Sequence, residues 1–308
     1  MGEPPVLLIF GPTGVGKTEL ISRLFKGIGE VISADSLQAY RGLDIGTAKP
    51  EPSLCKVIPH HLINILDPKE QYTVGDFVKR ADECILEILK RKHLPIISGG
   101  TAYYFRHFLF GLPETPKASL DLRERLEARV EIEGLESLYK ELLRLDPASA
   151  KRISNRDAYR IVRALEVYYT SGKPLSSFPL PKEPRKDRSY ILIGLYRERE
   201  DLYRRINHRV NTMFQAGLAQ EVAQLLSQGY TEKDPGLKGI GYREFFLLKK
   251  WGCLTIKNVK ELIQTHTRQY AKRQLTFFRS FPGVKWVHPD QVKRLQDFGL
   301  PLTEDLQD

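Results

Sequence analysis

Residues 11–18 read GPTGVGKT, which places Gly11, Gly16, Lys17 and Thr18 in the pattern G-x-x-x-x-G-K-[ST]. A loop of this kind holds phosphates. Its glycines let the backbone wrap around phosphate oxygens with N–H groups turned inward, and the helix that follows adds favourable partial charge at its N-terminus. Gly11, Pro12, Thr13, Gly14, Val15, Gly16, Lys17 and Thr18 are the expected cradle, with Lys17 neutralising terminal oxygens and Thr18 placed to ligate Mg²⁺. The loop does not by itself distinguish ATP from another diphosphate. A second candidate closes the stretch EVISAD, residues 30–35, where an apolar run ends in Asp35. A carboxylate there is an ordinary magnesium ligand and a less usual base, and its neighbours must decide. His60 and His61 invite a metal reading, but no cysteine or second histidine pair has matching spacing, so they are expected to pack a loop.

The elements that position these residues follow from periodicity. Pro5–Phe10 is a short apolar run closed by Gly-Pro, and it reads as a buried strand. Leu20, Ile21, Leu24 and Phe25 recur at helical spacing after Gly16. Glu30–Ser33 and Leu94–Ser98 read as further strands, the latter stopped by Gly99 and Gly100. Asp76–Lys92 reads as an amphipathic helix with Phe77, Ala81, Ile85 and Ile88 on one stripe. Strands alternating with helices predict an α/β fold built on a parallel sheet. The phosphate loop, Asp35 and Thr101 each follow a strand end, so they are expected to meet at one sheet edge. Residues 113–189 show no strand pattern. They open on the proline-rich LPETPKASL, carry helical spacing at Leu120–Val130, Leu135–Leu145 and Asp157–Tyr169, and close on a second proline-rich stretch. This region reads as a helical insertion. Strand character returns at Tyr190–Tyr196, and a long helix is expected from about Lys257 to Phe281.

The composition, 41% hydrophobic and 28% charged, describes a globular chain. Val6–Phe10 is too short for a signal-peptide core or a membrane span. Cys55, Cys84 and Cys253 are too few and too scattered for a disulfide framework or a zinc site, which points to a reducing, cytoplasmic setting. The net charge is +10, with the larger part of the excess in residues 190–308, away from the phosphate loop. Such an excess suits contact with nucleic acid, but on charge alone a solvated basic surface is the more ordinary reading.

Seven further stretches carry a family resemblance. SADSLQAYRGLDIGTAKP (33–50), IPHHLINILDP (58–68), SGGTAYYF (98–105), DPASAKRISNRDAYRIVRALEVYYTSGKPL (146–175), RINHRVNTMFQAGLAQEV (205–222), GIGYREF (239–245) and TRQYAKRQLTFFR (267–279) resemble motifs of the tRNA dimethylallyltransferases. The likeness runs from about residue 5 to residue 280. It departs at Asn64, at Ala102–Tyr103, at Phe277 and at Arg156, and spares Lys17, Thr18, Asp35 and Thr101.

The resemblance implies a P-loop NTPase-like core, residues 1–112 and 190–308, with a helical insertion domain, 113–189, that contacts tRNA. It implies transfer of a dimethylallyl group from dimethylallyl diphosphate to N6 of adenosine 37, beside the tRNA anticodon, giving N6-isopentenyladenosine and diphosphate without ATP hydrolysis. Mg²⁺ is the implied cofactor, the anticodon stem-loop the partner, and a monomer without membrane contact the expected state. An exocyclic adenine amine is a poor nucleophile that needs a base, the role implied for Asp35. Thr101 is implied to offer its hydroxyl to the bridging oxygen, and Arg209 to reach the diphosphate. Ser36, Leu37 and Gln38 are the implied positions for holding an extruded adenine. RNA contacts are implied for Arg123, for Tyr159, Arg160, Ile161, Val162 and Arg163, and for Arg268, Lys272 and Arg273. Two other readings of the phosphate loop stay open on the residues alone: a kinase of a small metabolite and a nucleotide-dependent RNA-binding switch.

Overall fold

A computed structural model describes residues 4–117 and 120–300; the remainder, including Ala118 and Ser119 of the expected proline-rich exit, lies outside the described residues. The strands are β1 (Val6–Phe10), β2 (Gly29–Ser33), β3 (His60–His61), β4 (Leu94–Gly99), β5 (Tyr190–Leu195) and β6 (Lys285–Val287). The helices are α1 (Lys17–Leu24), α2 (Pro52–Val57), α3 (Val74–Lys90), α4 (Ala102–Phe110), α5 (Leu120–Glu133), α6 (Leu135–Leu145), α7 (Pro147–Ala150), α8 (Ala158–Ser171), α9 (Arg199–Gln215), α10 (Leu218–Ser227), α11 (Arg243–Lys250) and α12 (Ile256–Phe278). The chain divides into two compact units, one of residues up to Leu109 together with those from Arg185 onward, the other Phe110–Pro184.

The first unit holds a parallel sheet of order β3-β2-β4-β1-β5-β6. Every residue of β1 is buried, which is why its sequence is a continuous apolar run and not an alternating one: a central parallel strand is covered on both faces. Ser33 pairs with Ser98 and Phe10 with Gly99, so β2, β4 and β1 end level with one another. The chain leaving β2 and the chain leaving β4 then run very close. A Cβ on Gly99 would stand 2.3 Å from the Ala34 carbonyl oxygen, so only glycine fits there. The Thr101 N–H donates to that same carbonyl at 3.1 Å.

Two helices fasten this sheet. Helix α3 starts on a capping box, Thr73 with Asp76, and buries Phe77, Val78, Ala81, Ile85 and Ile88. Helix α12 buries Val259, Ile263, Thr267, Ala271, Gln274 and Phe278, a stripe at helical spacing that includes two polar side chains. Phe278 stacks on Phe10 at 4.5 Å, and Phe105 and Phe281 close edge-on around them. Each fully buried ring contributes roughly 1.5–3 kcal/mol, so this cluster pins α12 to the end of β1 that feeds the phosphate loop.

The second unit is helical. Leu126 of α5, Leu138 and Leu142 of α6, and Ile161, Val162 and Leu165 of α8 form its core. Asp146 caps α7 through the Ser149 N–H and also accepts the Ser176 N–H. Among the described residues no helix is long and apolar enough to cross a membrane.

Candidate active site

The phosphate loop is set by left-handed glycines and held from outside by arginines. Gly14 (φ 80°) and Gly16 (φ 105°) adopt conformations that a side chain would strain. Arg205 donates Nε–H to the Gly14 carbonyl at 2.9 Å, and Arg197 donates Nε–H to the Val15 carbonyl at 2.8 Å. Arg197 is fixed in turn by Asp201 and Asp290, and Arg205 by Glu19. Lys17 folds back over its own loop, with Nζ donating to the Gly11 and Pro12 carbonyls at 2.9 and 3.0 Å. On the sheet side, Gln274 accepts the Thr13 N–H at 3.0 Å and donates to the Gly100 carbonyl at 2.6 Å. This buried amide ties the loop after β1 to the loop after β4.

The loop borders a cleft of about 1120 Å³ at the level strand ends. Thr13, Gly14, Gly16, Lys17, Thr18, Asp35, Ser36, Leu37, Gln38, Thr101, Arg209 and Arg273 line it. Gly11, Pro12 and Val15 are buried beneath it. Three stretches far apart in sequence therefore meet as expected from the strand ends.

The floor of the cleft is cationic. Lys17 and Arg209 are half-buried and form no ion pair among the described residues. Burial pushes the Lys17 ammonium down to about 7, with repulsion from Arg209 adding to the effect and Asp35 opposing it. Burial likewise lowers Arg209, again against the pull of Asp35. Arg209 donates to the Thr47 carbonyl at 3.1 Å. Two cations left without a carboxylate are costly unless an anion arrives.

Asp35 begins a turn. Its Oδ1 accepts the Leu37 N–H at 3.0 Å and the Gln38 N–H at 3.4 Å, and among the described residues Oδ2 accepts no hydrogen bond. Thr101 Oγ1 accepts the Ser36 N–H at 3.1 Å, which places the Thr101 hydroxyl beside the Asp35 turn. The Tyr270 hydroxyl donates to the Gly100 carbonyl at 3.5 Å, and burial pushes its phenol up to about 12, so it stays neutral there. Gln38 accepts from Ser33 Oγ at 2.9 Å and aims its amide nitrogen at the Thr47 and Ala48 carbonyls, both at 3.5 Å. Leu37 packs on Gly239, where a Cβ would come within 2.2 Å of it.

A magnesium ion would find a donor set of one kind here. Among the described residues no three His, Cys, Asp or Glu cluster with metal-ligand geometry. The exposed Thr18 hydroxyl faces the same cleft as Asp35. Mg²⁺ commonly relies on substrate phosphates, water and one or two protein oxygens, so these residues fit it as a companion of a bound diphosphate. His60 and His61 form the short strand β3. His61 bonds to the buried Glu30 carboxylate at 2.6 Å, and Arg91 and His93 complete that cluster, holding Glu30 down at about 2.

The expected RNA-facing residues divide. Tyr159 is 70% exposed, and the Arg160 side chain is 67% exposed with a loose pairing to Asp157 at 3.4 Å. Ile161 and Val162 are core side chains of α8, so that part of the expected run is corrected: the helix turns them inward with Leu165. Arg163 and Arg123 are partly exposed and donate to the fully buried Glu166 at 2.9 and 2.8 Å, and Arg123 also lies over the Tyr159 ring. Arg268 is spent on Asn207 and Thr265 beside the Tyr203 ring. Lys272 and Arg273 are exposed, the latter over Tyr270. Sequence reasoning missed Gln274, Arg197, Arg205 and Tyr270. The signal available was a polar residue, Gln274, on the apolar stripe of α12.

A phosphate loop opening on a cationic cleft at the carboxyl edge of a parallel sheet defines a P-loop-like α/β protein. The family model for IPP transferase matches residues 38–281, and that for isopentenyl transferase matches residues 4–60. The chain belongs to the IPP transferase family. It is 45% identical to the tRNA dimethylallyltransferase of Geobacter sulfurreducens over 92% of this chain and 91% of that one. It is 41% identical to the tRNA dimethylallyltransferase of Borreliella burgdorferi over 94% of each. The full-length tRNA isopentenylpyrophosphate transferase of Bacillus halodurans aligns with a TM-score of 0.65 at 35% identity, covering 99% of this chain and 94% of that one. A eukaryotic dimethylallyltransferase solved acting on tRNA aligns with a TM-score of 0.77 at 27% identity, covering 99% and 79%.

Proposed function

We propose that this chain transfers a dimethylallyl group from dimethylallyl diphosphate to N6 of adenosine 37 in tRNA, releasing diphosphate. The observation that carries the reading is the pair of half-buried cations, Lys17 and Arg209, left without ion pairs beside the Asp35 carboxylate. An anion belongs on the cations, and a proton-bearing nucleophile belongs on the carboxylate.

In the proposed step the adenine amine attacks the allylic carbon, the bond from that carbon to the bridging oxygen breaks, and the amine proton passes to Asp35. Leu37 and Gln38 hold Asp35 by Oδ1, which leaves Oδ2 to act as base. Lys17, Arg209 and the loop amides receive the charge that grows on the departing diphosphate. The Thr101 hydroxyl, oriented by the Ser36 N–H, donates toward the bridging oxygen. Bound Mg²⁺, held by Thr18 and phosphate oxygens, would neutralise part of that charge. Ser36, Leu37 and Gln38 border the adenine, and a base in a stacked loop must be extruded to reach them. Tyr159 and Arg160 offer the exposed aromatic and cationic surface that suits unstacked RNA. The two units correspond to a catalytic core and an RNA-contacting insertion, acting as a monomer in the cytoplasm.

Incubation with tRNA, Mg²⁺ and either dimethylallyl diphosphate or ATP tests this. Mass spectrometry of the RNA digest should show one added prenyl unit on adenosine, only with the diphosphate. Phosphate release from ATP with unmodified RNA would count against it.

A further inference from the structure

Residues 44–47 form a turn that touches both sides of the cleft. Its Thr47 carbonyl accepts from Arg209 at 3.1 Å and lies within 3.5 Å of the Gln38 amide nitrogen. One backbone oxygen thus orients a group assigned above to the diphosphate and a group assigned to the adenine. What holds that oxygen in place is a carboxylate outside the cleft lining. Glu221, in the first turn of α10, accepts three consecutive N–H groups of the turn: Asp44 at 3.0 Å, Ile45 at 2.7 Å and Gly46 at 3.1 Å. The same carboxylate accepts the Tyr242 hydroxyl at 2.7 Å. Tyr242 is fully buried and presses on the turn from the other side: a Cβ on Gly46 would meet its ring at 2.5 Å.

Three backbone donors on one carboxylate form a charge-assisted clasp stronger than neutral hydrogen bonds. Gly46 and Thr47 of the turn are buried, and the carbonyl next to the clasp is the one shared by the two substrate sides. We infer that Glu221 is a positioning residue of the transfer reaction, fixing the Thr47 carbonyl that aims Arg209 at the prenyl donor and Gln38 at the base. The inference rests on the function proposed above for its kinetic part and on geometry alone for its binding part.

The test compares wild type with Glu221→Gln and Glu221→Ala. Pyrophosphate binding is read by calorimetry, tRNA binding by filter retention, and kcat and KM separately for each substrate. The amide of Glu221→Gln keeps one acceptor but sets N–H against N–H at the turn. Misplacement of about 1 Å can cost about 10²-fold in rate, so Glu221→Ala is expected to lower kcat by that order and raise KM for the donor. Pyrophosphate affinity should fall with it, while tRNA affinity stays at the wild-type value and Glu221→Gln falls between. A merely structural clasp would lower the melting temperature and leave kcat and pyrophosphate affinity of the folded protein unchanged, and that result overturns the inference. If neither variant folds, Tyr242→Phe removes one hydrogen bond and keeps the ring. It should shift donor KM and pyrophosphate affinity in the same direction by a smaller factor, and no shift overturns the inference. A wild type that binds pyrophosphate yet never prenylates RNA would sink the proposed function, and the pyrophosphate arm would still decide the role of Glu221.

Discussion

Lys17 and Arg209, at the floor of the cleft, have carbonyl partners but no ion pair among the described residues. In the helical unit, Arg123 and Arg163 converge on Glu166, and Arg129 converges on Glu141 and Glu133. Both regions are rich in basic residues, and charge counting along the sequence treats them alike. The structure separates them by what each cation has been given. A cation already matched by a buried carboxylate holds a fold together. A cation denied one is poised for an anion that comes from outside. In α8, Tyr159 and Arg160 lie on the exposed face, because the helical stripe that buries Ile161, Val162 and Leu165 also carries Glu166 inward.

Substitutions can break that contrast from either side. Asp35→Asn carries the largest expected effect: turnover falls about 10²–10⁴-fold, with tRNA retention unchanged. Full activity in that variant removes Asp35 from the base role. Glu166→Gln strands two arginines and is expected to cost the helical unit about 3 kcal/mol, the low end for a broken buried pair because both arginines reach solvent. Thermal unfolding should report that loss while pyrophosphate affinity holds. A lost pyrophosphate site with an unchanged melting temperature would reverse the roles assigned to the two regions. The smallest effect belongs to Arg160→Ala, which should reduce the slope of log affinity for tRNA against log salt by about one. An unchanged slope would take Arg160 off the phosphate path.

Much of the sheet was readable in advance because its strands are continuous apolar runs and α3 and α12 carry clear stripes. Strands β3 and β6 were not, since two or three residues show no period and owe their conformation to β2 and β5. The phosphate loop was readable because its chemistry requires glycines and a lysine at fixed spacing. Asp35 and Thr101 were placed by the rule that parallel strands end on one edge. The supports of the site were hidden for a physical reason. Gln274, Arg197, Arg205 and Glu221 bond to backbone groups 174 to 261 positions away, and a backbone partner leaves no mark in the residue types. The pairing of Arg123 and Arg163 with Glu166 was not legible, because a basic run does not show which of its members finds a buried acid.

Calorimetry of pyrophosphate binding at pH 8 tests the central claim most directly. Lys17 is held near 7 in the free protein, so at pH 8 it is mostly neutral and must take up a proton when the anion arrives. The account predicts proton uptake in buffers of different ionisation enthalpy, and an affinity that falls by about tenfold per pH unit above that point. Tight binding with no proton uptake and no decline with pH would contradict it.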